Sequence, residues 1–134
     1  MSVTQPVIAQ TPEEIHGIVY AAVAGRRPIA AIYKGYQRLF CPHRLGKNRE
    51  GERRVLCYQY GGASESGLAE EGSPKNWRCI ALNKLGRAVM RGDVWHTAPN
   101  HSRPQTCIVD VEIDVEDQPA GEPQKGQQES RWSR

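Results

Sequence analysis

No stretch of this 134-residue chain approaches the ~20 consecutive apolar residues that a membrane-spanning helix requires. A helical membrane span is therefore not expected. The N-terminus, MSVTQPVIAQ, lacks a basic start and a long apolar core. It does not read as a secretion signal, and the expected compartment is the reducing cytoplasm. Apolar residues are sparse, at 38% of the chain, with a mean hydropathy of −0.65. Part of so polar a chain is expected to lie outside any packed core. There is no C-x2–4-C pair of the kind that structural zinc sites use. G-x-S-x-G, P-loop and H-E-x-x-H motifs are missing too, and no internal repeat is visible.

Cysteine is present but not in a framework. Cys41, Cys57, Cys79 and Cys107 are widely spread, each in or beside an apolar stretch. Disulfide frameworks belong mainly to short secreted chains. The four cysteines therefore read as reduced, small hydrophobes in strands.

The formal net charge is only +3, but its distribution is uneven. Nine Lys/Arg and two acids fall between Arg26 and Arg54, a local balance of +7, which leaves −4 for the rest. A cluster of that sign attracts phosphate and other anions, or forms a solvated basic face with no partner.

One domain is the natural expectation at this length. Residues 1–10 read as a loose arm. Thr11 suits an N-cap, Pro12 the first helical position, and Glu14 the third residue of a capping box. Ile15, Ile18, Val19, Ala22 and Val23 follow at helical spacing, and Gly25 can end the helix, giving 12–25. After Pro28 the period changes to two. Residues 29–34 and 37–41 read as a hairpin around Gly35, which Pro42 is placed to end. In the next strand, residues 53–60, Val55, Cys57 and Gln59 share one face, and Leu56, Tyr58 and Tyr60 the other. Residues 61–75 are small, polar and glycine-rich, as in a long mobile loop. Residues 76–82 form a fourth strand, 83–86 a turn and 87–91 a short strand. Residues 95–106 read as an irregular polar segment. Val109, Val111, Ile113 and Val115 alternate with acids, as in a half-buried strand. Residues 117–134 read as a disordered tail. The fold expected is mainly β (α+β). One N-terminal helix accompanies five or six short strands closed into a small Sm/SH3-like β-barrel spanning residues 11–116.

One family pattern overlies these elements. The run Tyr33-x2-Tyr36-x-Arg38-Leu39-x2-Pro42-His43-x-Leu45-Gly46 is followed by a glycine turn and a strand ending Leu56-Cys57-Tyr58. Trp77-Arg78-Cys79-Ile80-Ala81-Leu82-Asn83-Lys84-Leu85 completes it. Together, over about residues 28–90, they resemble the WYL domain. The name-giving tripeptide falls at Arg54-Val55-Leu56, of which only the leucine agrees. Ala81 stands where the family has a second arginine, and Asn83 where it has aspartate. The resemblance implies a small barrel that senses ligands, often nucleotides or nucleic acid, in transcriptional or defence regulation. It implies that Arg38 and Arg78 contact the anion, with Tyr33 and His43 near the pocket.

Arg78 shares a face with Ile80 and Leu82, where a guanidinium can grip phosphate or carboxylate bidentately, or simply reach solvent from the strand end. Tyr58, Tyr60, Trp77 and Trp95 offer stacking surfaces of the kind that bind single strands, or ordinary core packing. The leading expectation is a non-enzymatic module binding a nucleotide or single-stranded nucleic acid through Arg38, Arg78, Tyr33, His43, Tyr58 and Trp77, with no cofactor or metal. One alternative is a protein-interaction module, as a homo-oligomer or accessory subunit. Another is a small metal- or cysteine-dependent enzyme using Cys41 or Cys107 with His43, His96 or His101.

Overall fold

The computed structural model describes residues 10–64, 67–99 and 107–118. Most of the expected arm and tail, the end of the polar segment and residues 65–66 lie outside that set. The helix α1 spans Pro12–Gly25. Its capping box is complete: Glu14 N donates to Thr11 Oγ1 at 3.1 Å, and Thr11 N donates to Glu14 Oε1 at 2.8 Å. The helix ends at Gly25 as expected, and the left-handed cap that follows is Arg26, at φ 52°. Arg26 holds this conformation while its guanidinium donates to Val115 O at 3.0 Å, tying the helix end to the C-terminal turn.

Six antiparallel strands follow: β1 (Ile29–Tyr33), β2 (Tyr36–Lys47), β3 (Arg53–Gly62), β4 (Trp77–Ala81), β5 (Leu85–Met90) and β6 (Asp110–Asp114). Lys34 and Gly35, at φ 54° and 79°, make the two-residue turn between β1 and β2. A 3-10 turn, Leu82–Lys84, joins β4 to β5. The strand order is β4-β3-β2-β1-β5, with β6 pairing the far half of β2. The protein is thus α+β and mainly β, as expected. No ladder joins β4 to β5 among the described residues, so the sheet is not closed there.

The strand β2 is twelve residues long and does not stop at Pro42. Proline lacks the N–H that a ladder uses, and it is tolerated beside bulges. The register against β3 shifts between Pro42 and Arg44, which is where the missing donor falls. One strand therefore pairs β1 early, β6 late and β3 throughout.

Two apolar clusters cover the two faces of the sheet. The larger holds α1 (Ile15, Val19, Ala22, Val23) against Ile29, Phe40, Leu45, Val55, Cys57, Ile80 and Leu85. The smaller lies opposite and holds Leu56, Tyr58, Trp77, Ala98 and Ile108. Alternation along β3 assigns Val55 and Cys57 to one face and Leu56 and Tyr58 to the other, as the sequence indicates. Alternation along β6 is only half realised. Ile113 and Val115 are buried, but Val109 and Val111 are exposed.

The cysteines depart from expectation. Cys79 and Cys107 form a disulfide across 28 residues, with their Cα atoms 6.6 Å apart. Only Cys41 and Cys57 are free, and both are buried. The bond links β4 to the segment entering β6, a proximity that spacing along the chain does not reveal.

Candidate functional site

Arg38 and Arg78 arrive on the same face from different strands. In β2, Arg38 alternates with Phe40, and in β4 Arg78 alternates with Ile80; both apolar neighbours belong to the helix-side cluster. Both guanidiniums also bear on one group, the Cys57 thiol, whose ionisation each of them eases. Burial still dominates there and pushes the Cys57 thiol far above its ordinary range.

Arg38 is only 2% exposed. Its guanidinium carbon lies 4.9 Å from the Tyr33 ring centre and 5.8 Å from that of Tyr36, so two tyrosines stack against it. The Tyr33 hydroxyl in turn accepts from Ala81 N at 3.3 Å, which fixes the ring between β1 and β4. Arg78 is half-buried. Nη1 donates to Lys75 O at 2.7 Å and Trp77 O at 3.2 Å, and Nη2 donates to Gly67 O at 3.0 Å.

Those bonds also bear on the loop after β3. Its described residues 67–73 are anchored. The buried Asn76 carboxamide accepts from Ala69 N at 2.8 Å and donates to Ala69 O and Glu70 O. Tyr58 Oη donates to Ser73 O at 2.9 Å. A glycine-rich composition reads as mobility, but one buried carboxamide supplies the partners that the loop backbone needs.

The other three expected residues stand on the opposite face. His43, Tyr58 and Trp77 are 5%, 1% and 7% exposed. The His43 ring lies 4.7 Å from both Trp77 and Trp95, and Trp77 meets Tyr58 edge-on at 5.2 Å. His43 Nδ1 is 2.8 Å from Cys41 O, and Nε2 is 3.1 Å from Thr97 Oγ1. Trp77 Nε1 donates to Pro99 O at 3.2 Å. The polar segment from Trp95 to Pro99 thus lies across the aromatic group and supplies partners for His43 Nε2 and Trp77 Nε1. The sheet therefore sorts the six residues into an inner cationic set (Arg38, Arg78, Tyr33) and an outer aromatic set (His43, Tyr58, Trp77).

Gln59 is a site residue that sequence reading passes over. It lies on the face of Cys57 and is 1% exposed. Its amide nitrogen donates to Gly61 O and Ala63 O, but Oε1 is buried with no partner. An orphan buried acceptor is rare and costly. Polarity alone marks glutamine as an unusual neighbour for Val55 and Cys57, and that was the available signal.

Protein-family models, curated proteins and solved structures were all compared with this chain. None of them matches it.

For chemistry at sulfur the surroundings are adverse. Burial pushes the Cys41 thiol up to about 12, with a smaller upward push from Asp93 and a downward one from the His96 N–H. The thiol, not the thiolate, is present at neutral pH, and only the thiolate is nucleophilic. No group of three or more metal-ligating side chains occurs among the described residues.

Proposed function

We propose that this protein is a ligand-binding regulatory module that recognises an anionic ligand, a nucleotide or a single-stranded nucleic acid, through Arg38 and Arg78. The observation that carries this reading is the arrival of two guanidiniums, forty residues apart in the chain, on one face of the sheet beside Cys57. Paired guanidinium forks suit phosphate oxygens, and Tyr33 stiffens one of the pair. The orphan Gln59 oxygen on the same face suits a ligand that also offers an N–H, as a nucleobase does. The resemblance to WYL domains points to the same ligand class. It also points to a strongly bent, Sm/SH3-like barrel, which the strand order and the 3-10 turn between β4 and β5 favour. The aromatic set then braces the sheet from behind, and regulation of transcription or defence is the expected context.

The test is binding of nucleotides and labelled oligonucleotides across a salt series. Affinity led by phosphate contacts falls as salt rises. Because Arg78 also holds three carbonyls, Arg78→Lys is the better variant: it keeps charge and loses the fork. A loss of roughly tenfold or more is expected. Absence of binding at low salt, or unchanged binding in the variant, overturns the reading.

A second reading, self-association or docking to a protein partner, draws on Val109 and Val111, which are exposed at 53% and 47% beside the outer edge of β6. A stable oligomer in solution that ignores nucleic acid supports it over the first.

A further inference from the structure

A second positively charged site lies outside the inner face, against β5. One extra residue is accommodated in β5. Ala30 pairs Val89 and Ile32 pairs Gly86, so two steps along β1 correspond to three along β5. Arg87 occupies that bulge in the left-handed region, at φ 53°. A side chain there costs energy that glycine avoids, and such outliers concentrate at functional positions. The position is well held. Ala88 N donates to Gln10 Oε1 at 2.7 Å and Ala88 O accepts from Gln10 Nε2 at 2.9 Å, locking the bulge from the outer side. Yet the Arg87 side chain is exposed and makes no hydrogen bond or ion pair among the described residues.

The bulge aims Arg87 at a cleft of about 390 Å3. Residues 30–32 and Val89 line it, Gln37 adds a carboxamide, and Arg91 adds a second guanidinium. The lining contains no carboxylate. Asp93 grips Arg91 through Nε at 2.5 Å and Nη2 at 3.3 Å, which fixes the fork and leaves Nη1 for a ligand. Arg87 keeps all its donors.

We propose that this cleft binds the phosphate of a nucleotide, either free or as part of a single strand. Arg87 and Arg91 contact the phosphate, Gln37 gives a directional bond, and the Ala30, Ile32 and Val89 side chains, on the Gln37 side of the sheet, form an apolar floor. Its volume suits one nucleotide. The site is separate from the Arg38–Arg78 face: Gln37 and Arg38 are consecutive in β2 and point to opposite sides.

Arg87→Gly tests it cleanly, because glycine relieves the left-handed backbone while removing the charge. The probes are inorganic pyrophosphate, a nucleoside monophosphate and a ten-residue thymidine strand, followed by amide chemical shifts at low salt. At least one is expected to shift the amides of Ala31, Gln37, Gly86 and Val89. Arg87→Gly is expected to weaken that binding roughly ten- to a hundredfold while its melting temperature stays or rises. Response to the monophosphate identifies a free nucleotide, and response to the strand alone identifies a polymer. If no probe moves these amides, or if Arg87→Gly binds like the parent protein, the proposal is overturned. Arg78→Lys leaves these shifts intact, so the two sites fail or stand separately.

Discussion

Cys41 and Cys57 are held as neutral thiols by burial, and this has a pH consequence. Cys41 rises from an ordinary 9.0 to about 12, and Cys57 also rises. A pKa raised on folding contributes stability in full below about pH 9, and that contribution disappears as pH climbs toward 12. Alkaline unfolding is therefore expected to begin above pH 9 and to be delayed in Cys41→Ala. At pH 8, iodoacetamide is expected to leave both thiols unmodified in the native protein and to label both in urea, as intact mass shows. Glycine matters where two strands approach closely as well. A Cβ on Gly46 would run into the Asp110 carbonyl and lie 2.7 Å from Ile108 Cγ2. Gly46→Ala is expected to lower stability by about 2–3 kcal/mol in urea titration, because β6 must move off β2. At this scale the sequence is legible wherever a period governs. Alternation assigns Arg78 to the face of Ile80, and Cys57 to that of Val55. It says nothing about Gln59 Oε1 or the left-handed Arg87, which depend on a bulge and on groups from distant strands.

Helix α1 is the element most legible from sequence, because capping and proline placement act within four residues. Thr11→Ala removes the acceptor for Glu14 N and is expected to cost about 1 kcal/mol, lowering the melting temperature by roughly 3–5 °C. The strands are legible in position but not in length. Pro42 reads as a stop by local rules, and only the partner strand, with its shifted register, shows why β2 passes through. The disulfide was not legible at all, since Cys79 and Cys107 meet through the fold. Its removal by Cys107→Ser is expected to cost about 3–4 kcal/mol in the chain-entropy account, visible as a lower urea midpoint. A thiol count on unfolded, unreduced protein is expected to return two, not four.

Across the whole molecule, charge is organised in layers. The Arg44 guanidinium meets the Asp114 carboxylate at 2.6 Å where β2 pairs β6, and both side chains are largely buried. Removing one partner leaves the other uncompensated, so Asp114→Asn is expected to be destabilising by about 3 kcal/mol, in contrast to changes at solvent-facing pairs such as Arg54–Glu52. The basic stretch between Arg26 and Arg54 was visible in composition. The separation of its members onto opposite sides of one sheet was not, because that depends on how β2 is shared among three neighbours.

Trp77 and Arg78 are adjacent in β4 yet look out of opposite sides of the sheet. An indole thus sits one peptide bond from the guanidinium proposed to meet the anion, sealed against His43, Tyr58 and Pro99. Any shift of β4 when that guanidinium gains a counter-charge must tilt the indole within its packing. With Trp95 and Trp132 replaced by phenylalanine, emission from Trp77 is expected to follow occupancy of the far side with no dye attached.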